Sequence, residues 1–237
     1  MNIVFIRHGD PDYSIDSLTE KGVKEATLLR DRMNRVKEAD YYCSPLGRAR
    51  KTAEIALADK QTEPVILDWM QEFYYPIIDP KTGKRRISWD FYPAFWTEIP
   101  ELYDKDKWYR TGLMQSGEVP EKYEWVTKSF DKLLEDYGYY KEKGYYRAAP
   151  GSDRTIVIFC HLGVQFVLLG YLTGISPLLL WQGAFVAPTS VTVLNSEERE
   201  EGIAAFRIRT LGDCAHLYAG GEPASDSGLF PRKSFQM

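Results

Sequence analysis

An arginine, a histidine and a glycine, Arg7-His8-Gly9, come directly after the apolar run Ile3-Val4-Phe5-Ile6. The run is short and rich in β-formers, which predicts a buried strand. In an open α/β sheet, ligands bind just beyond the carboxyl ends of the strands. A guanidinium at such a point can hold an anion, and the imidazole beside it can attack one. That pairing points to phosphate chemistry. The arrangement recurs later in the chain, where Thr155-Ile156-Val157-Ile158-Phe159-Cys160 is a second apolar run and His161 follows it at once. Two of the three histidines therefore stand at matched strand ends. Matched positions favour one shared site over two unrelated packed residues.

Two further groups, Arg48 and Glu72, follow predicted strands. In a mostly parallel sheet those ends lie along one edge, so residues distant in sequence converge. His8 is the candidate nucleophile. It can attack phosphorus only as the neutral imidazole, with its second nitrogen held by an acceptor such as a backbone carbonyl. Arg7, Arg48 and His161 are the candidates for binding the phosphoryl oxygens and the charge that spreads over them in the transition state. Arg48 is expected in the first turn of a helix, where free N–H groups favour an anion. Glu72 is the candidate proton donor to the leaving oxygen, and then the base that activates water. Asp68 is its nearest rival.

The elements that must position these residues can be read from periodicity. A helix is expected from Leu18–Gly22 to about Val36, with an apolar stripe of Val23, Ala26, Leu29 or Leu28, Met33 and Val36. Asp40–Cys43 predicts a short strand. Ser44-Pro45 predicts a helix start, with Ser44 as N-cap, running to about Leu57. Val65–Leu67 predicts the next strand. This alternation predicts a three-layer α/β/α fold with a mostly parallel central sheet. Residues 73–150 break the pattern and carry 19 of the chain's 33 aromatics, so an ordered, helical or irregular aromatic-rich insertion within a single domain is expected. Its best helix runs from Glu121 to about Tyr137, with Trp125, Val126, Phe130, Leu133 and Leu134 buried. A helix from about Gly163 to Leu172 follows His161, closed by Gly174. Ser190–Leu194 and Ile203–Thr210 predict a hairpin across Asn195–Gly202.

Three segments carry a resemblance. Arg7-His8-Gly9, the stretch Ser44-Pro45-Leu46-Gly47-Arg48-Ala49-Arg50-Lys51-Thr52-Ala53, and Cys160-His161-Leu162-Gly163 resemble the signatures of the histidine phosphatase superfamily, also called phosphoglycerate mutase-like. Pro188-Thr189-Ser190-Val191 and Asp213–His216 are similar to that family's late strands. The resemblance implies a phosphohistidine on His8, formed without a metal or organic cofactor. It places Arg7, Arg48, His161 and Leu162 around the phosphate. It covers the α/β portions at both ends and leaves most of residues 73–150 unmatched. Mutases of the family follow the first motif with a Glu-Ser-x-Trp-Asn type sequence, where this chain reads Asp10-Pro11-Asp12-Tyr13-Ser14. A phosphomonoesterase acting on a small phosphorylated metabolite is therefore expected ahead of a phosphoglycerate mutase or a non-catalytic phosphate-ligand binding protein.

Composition narrows the field. The 237 residues are 44% hydrophobic, enough for a full core. A net charge of −4 gives no basic excess for nucleic-acid binding. The apolar runs are too short to span a membrane. The opening residues enter a strand directly rather than a charged region and long apolar stretch, and Cys43, Cys160 and Cys214 are odd in number and far apart. Both features predict a cytoplasmic protein with reduced thiols. Oligomeric state leaves no mark in the sequence. Asp10, Asp12 and Asp16 are expected to shape a turn. A metal site of Asp10, Asp12 and the histidines is disfavoured by the cation Arg7 beside it. His216 is expected to be structural. In the insertion, Trp89, Phe91, Tyr92, Trp96, Trp108 and Tyr109 could touch a substrate and Lys84, Arg85 and Arg86 a second anionic group, but packing and solvated surface are the simpler expectations.

Overall fold

The computed structural model describes residues 1–229. The first half of the chain forms β1 (Asn2–Arg7), β2 (Pro11–Asp12), β3 (Ser17–Leu18), α1 (Glu20–Asn34), β4 (Asp40–Cys43), α2 (Gly47–Ala56) and β5 (Val65–Ile66). Next come β6 (Pro76–Ile78), β7 (Arg85–Ile87), α3 (Pro93–Trp96) and α4 (Val119–Glu135), with short 3-10 turns between them. The chain continues through β8 (Tyr139–Lys141), β9 (Tyr146–Ala148), β10 (Thr155–Cys160), α5 (Leu162–Thr173), α6 (Pro177–Gly183), β11 (Val191–Glu200), β12 (Ile203–Asp213) and α7 (Ala215–Ala219).

Eight strands make one sheet in the order β5-β4-β10-β1-β11-β12-β9-β8. β5, β4, β10 and β1 pair parallel, while β11 and β9 run against the other six. The alternation of side chains along β1 and β10 divides the core in two. Ile3, Phe5, Ile156 and Ile158 face one layer with Phe130 and Leu134 of α4 and Val164 and Leu168 of α5. Val4, Ile6, Val157 and Phe159 face the other, with Leu29 and Met33 of α1 and Ala49 and Ala53 of α2. This is the expected three-layer α/β/α arrangement. The segment 73–150 contributes to it directly: α4 packs Phe130 against Phe5 at 6.4 Å between ring centroids, and β8 and β9 extend the sheet edge. Among the described residues no helix is long and apolar enough to cross a membrane.

Several expected boundaries move, each for a physical reason. Ser44 does not cap α2, which begins at Gly47 after Leu46, because the Ser44 hydroxyl is engaged by His161. Val65 and Ile66 are exposed, since β5 is a sheet edge. Val23 and Trp125 point outward. Glu25 takes a buried place in α1, and Tyr123 takes one in α4, preserving three- to four-residue spacing with Val126 and Phe130. The β11–β12 hairpin is longer than expected. Glu200 pairs with Ile203, leaving only Glu201 and Gly202 in the turn, and Gly202 there adopts a φ of 75°.

Candidate active site

Parallel register brings the site together. Arg7 of β1 pairs with Cys160 of β10, and Phe159 pairs with Cys43 of β4. The next residues along these strands, His8, His161 and Ser44, therefore emerge side by side at one sheet edge. The two imidazole centroids are 5.1 Å apart. Both rings are buried.

The tautomer of each ring follows from its partners. His8 Nδ1 lies 2.7 Å from the Gly9 carbonyl. A carbonyl only accepts, so Nδ1 carries the proton and the lone pair of Nε2 is free. Burial, reinforced by the charge of Arg7, holds the His8 pKa well below the ordinary histidine value, against the opposing effect of the Gly9 hydrogen bond. His161 Nε2 lies 2.7 Å from Ser44 Oγ. That oxygen already accepts from the Leu46 amide, and its proton has no other acceptor among the described residues. Ser44 thus donates to Nε2, which leaves the proton of His161 on Nδ1. Nδ1 is buried and unpartnered. Burial and then the neighbouring His8 and Arg48 hold the His161 pKa well below its ordinary value as well.

The turn that carries His8 is clamped from both helices of one layer. The Gly9 amide donates to Thr52 Oγ1 of α2, and the Asp10 amide donates to Glu25 Oε2 of α1. Burial raises the Glu25 pKa to about 7. From the other side, the Thr189 amide donates to the carbonyls of both Arg7 and His8, with Thr189 at a φ of 56°. His216 reaches Thr189 Oγ1 at 3.1 Å and so supports this turn from outside the cluster.

Arg7 is 3% exposed and makes no ion pair among the described residues; one Nη donates to the Val186 carbonyl and Nε is unpartnered. A buried guanidinium without a counter-charge is a strong anion site. Arg48 lies in the first turn of α2, and its Nε is also buried and unpartnered. Its Nη1 meets Asp16 Oδ1 at 2.6 Å, while Asp16 Oδ2 accepts from the Gly47 amide at 2.6 Å. Asp16 therefore supplies the α2 cap expected of Ser44, and it sets a carboxylate at the mouth of the anion site. Glu72 Oε1 accepts from the amides of Phe73 and Val164, which fixes it at the N-terminus of α5 beside Leu162. Its charge reaches Arg7, where it opposes the lowering effect of burial. Asp68, by contrast, is exposed.

The predicted residues Arg7, His8, Arg48, Glu72, His161 and Leu162 thus fall in one region. Ser44, Thr52, Glu25 and Asp16 were not expected in it. Ser44 and Thr52 sit within the second motif, so their spacing from Arg48 was a usable signal, whereas nothing local marks Glu25 or Asp16. Asp10 and Asp12 are used in the turn. Asp10 accepts from Thr19 and Ser225, and Asp12 from Ser14. Among the described residues no three His, Cys, Asp or Glu side chains group closely enough to hold a metal ion. Cys43 and Cys160 are buried thiols with raised pKa values, Cys43 to about 12. Of the insertion's aromatics, Trp108 and Tyr109 are core, Tyr92 is exposed beside Arg86, and Trp89 and Phe91 line a cavity beside the cluster. Arg86 is paired with Asp79 and Asp90.

Residues 3–136 match the model of the histidine phosphatase superfamily (branch 1). The chain belongs to that superfamily. It is similar to the adenosylcobalamin/alpha-ribazole phosphatase of Escherichia coli strain K12, at 22% identity over 190 residues, 76% of this chain and 83% of the relative. A phosphoserine phosphatase from Entamoeba histolytica, solved in complex with phosphoserine, superposes with a TM-score of 0.56 at 16% identity, covering 91% of this chain and 98% of that one. The alpha-ribazole phosphatase of Shigella flexneri gives 0.54 at 19% identity, covering 90% and 97%. At these identities the structural likeness establishes the shared fold, an α/β sheet with flanking helices.

Proposed function

We propose that this histidine phosphatase superfamily member is a phosphomonoesterase that hydrolyses a small phosphorylated metabolite through a phosphohistidine on His8. The observation that carries the reading is the His8–Gly9 hydrogen bond, which leaves Nε2 of a neutral imidazole free beside two guanidinium groups. In the first half-reaction Nε2 attacks phosphorus and the bond to the ester oxygen breaks. Glu72 gives its proton to that oxygen, and the alcohol leaves. In the second, ionised Glu72 takes a proton from water, whose oxygen attacks the phosphohistidine. The P–N bond breaks and His8 returns to its neutral form. Arg7, Arg48 and the Nδ1–H of His161 hold the three peripheral oxygens throughout, with the Leu162 end of α5 adding its N-terminal dipole. Two guanidinium groups supply the positive charge that a metal would bring, so no metal enters the steps. The three similar proteins named above are phosphatases, which supports hydrolysis. Phosphoglycerate mutase-type transfer would require a second anionic group of the substrate to be held beyond the first motif. There the chain carries the acidic residues Asp10, Asp12 and Asp16, of which Asp16 already takes up part of the charge of Arg48.

The test is phosphate release from p-nitrophenyl phosphate and a panel of phosphorylated metabolites, with EDTA present, for the native chain and His8→Ala. Release that vanishes in the variant supports the reading. Release that survives removes His8 as nucleophile, and release that EDTA abolishes and added metal restores removes the metal-free steps.

A further inference from the structure

The phosphate end of the site is built from charges, but the cavity that continues from it is not. A space of about 350 Å³ opens beside the cluster, toward the small end of the range for small-molecule sites, about 300–1,000 Å³. Its walls lie against Arg7 and come close to Glu72. Leu162 follows His161 in the chain. Phe185 lies against the Arg7 guanidinium at 5.6 Å, and Gly228 passes over the same group. Trp89 shares the surface of Gly163 with the Glu72 carboxylate: a Cβ placed there would be 2.5 Å from Glu72 Oε1 and 3.1 Å from Trp89 Nε1. The group that leaves must depart next to the proton donor, so this cavity is where the alcohol portion of a substrate lies.

Its chemistry is specific. Four of the lining side chains are the rings of Trp89, Phe91, Trp181 and Phe185. Both indole N–H groups are already spent on backbone carbonyls, Trp89 on Phe73 and Trp181 on Gly163. The Gln182 amide is likewise turned to the Trp89 carbonyl. The rings therefore offer faces and edges rather than donors. Among the described residues no lysine or arginine lines the cavity, and the one charged side chain there is Asp90, a carboxylate. Arg86 reaches Asp90 from outside the lining at 3.3 Å and offsets part of that charge. Among the described lining residues a second carboxylate or phosphate on the substrate would meet no cation and would face Asp90.

We infer that the substrate is a phosphomonoester whose alcohol carries an uncharged aromatic ring, seated between Trp89, Trp181 and Phe185. The inference rests on the phosphomonoesterase reading and adds the leaving-group class to it. A site of this kind gains from ring burial and stacking and loses on a second anion.

The experiment compares kcat/KM for 2-phenylethyl phosphate, glycerol 3-phosphate, phosphoserine and 3-phosphoglycerate, all esters of poorly acidic alcohols. The phenylethyl ester should lead the other three by about 10- to 200-fold, the range that apolar side-chain fit commonly gives. Asp90→Asn should narrow the gap by raising the two carboxylate-bearing esters. Gly183 lines the rim, and a Cβ added there meets nothing within 4 Å, so Gly183→Phe should fold and fill the cavity. It should raise KM for 2-phenylethyl phosphate at least about tenfold while inhibition by inorganic phosphate stays as it was. Equal turnover of all four esters, or preference for phosphoserine or 3-phosphoglycerate with His8-dependent release from p-nitrophenyl phosphate intact, overturns the inference alone. No release from any ester overturns the phosphomonoesterase reading and the inference with it.

Discussion

Gly163→Ala tests the placement of the general acid without touching the acid. The new methyl would stand 2.5 Å from Glu72 Oε1, and ordinary contact begins near 3.4 Å. The carboxylate must therefore retreat by about 0.9 Å, or α5 must shift by the same amount. The methyl also meets Trp89 Nε1 at 3.1 Å, which closes the easy way out. Retreat weakens the Val164 amide bond that holds Oε1 at 3.1 Å. A misplacement of about 1 Å in a catalytic group can cost about 100-fold, or about 2.7 kcal/mol of barrier. Gly163 is in the first turn of α5 at an ordinary backbone angle, and alanine is the better helix former by about 1 kcal/mol, so the fold should persist. The assay is kcat on an alkyl phosphate and on p-nitrophenyl phosphate. The alkyl ester needs a proton on its leaving oxygen, so its kcat should fall about 100-fold. Nitrophenolate leaves unaided, and its kcat should fall far less. In a Glu72→Gln background the same change should add little, because both act on one group. Equal losses on both esters, or full activity on the alkyl ester, would refute Glu72 as the donor.

Ser44→Ala should leave His161 Nε2 buried without a partner, at a cost of about 1–3 kcal/mol in denaturant unfolding, and should lower kcat because the Nδ1–H tautomer is no longer imposed; unchanged kcat would separate Ser44 from the site. Asp16→Asn can keep one acceptor oxygen for the Gly47 amide while giving up the one that meets Arg48, and it removes the charge at the anion site, so inorganic phosphate should inhibit more tightly; weaker inhibition would mean that the carboxylate serves chiefly to hold Arg48. Acid should destabilise the fold well above the usual carboxylate range. Near pH 5.5 the unfolded chain protonates all three histidines, at about 6.5. The folded chain keeps His8 and His161 neutral and His216 at about 4. Glu25 opposes this, since at about 7 it is protonated when folded and ionised when unfolded. The unfolded state then binds about two more protons, so stability should fall with acid by about 2.7 kcal/mol per pH unit there. Unfolding free energies that stay flat between pH 6 and 5 would contradict that balance.

The parts of the molecule that sequence reading reached, and those it missed, divide on a physical line. His8 and His161 stand at the ends of buried parallel strands, as the apolar runs before them predict. Arg48 was placed in a helical first turn for the same kind of local reason. The residues missed at the site are those whose partners are distant in the chain. Ser44 has the signature of an N-cap, and only the pairing of β4 with β10 turns its hydroxyl to His161, 117 residues away. Asp16 belongs to a turn by its local sequence, and only the folded chain brings it to cap α2. Glu25 interrupts an apolar stripe, and its burial makes sense only once the Asp10 amide is seen to need an acceptor. The aromatic insertion was harder still, because one residue type serves two purposes. Trp108 fills the core with no exposure, whereas Trp89 stands at the cavity wall beside Glu72. Composition cannot separate them, since ring burial stabilises both. What separates them is the indole N–H, which has no partner in Trp108 and a backbone carbonyl in Trp89. Trp89 is pinned to Phe73, the residue directly after Glu72. The same short stretch of chain therefore aims the proposed proton donor and sets one wall of the space into which the alcohol would leave.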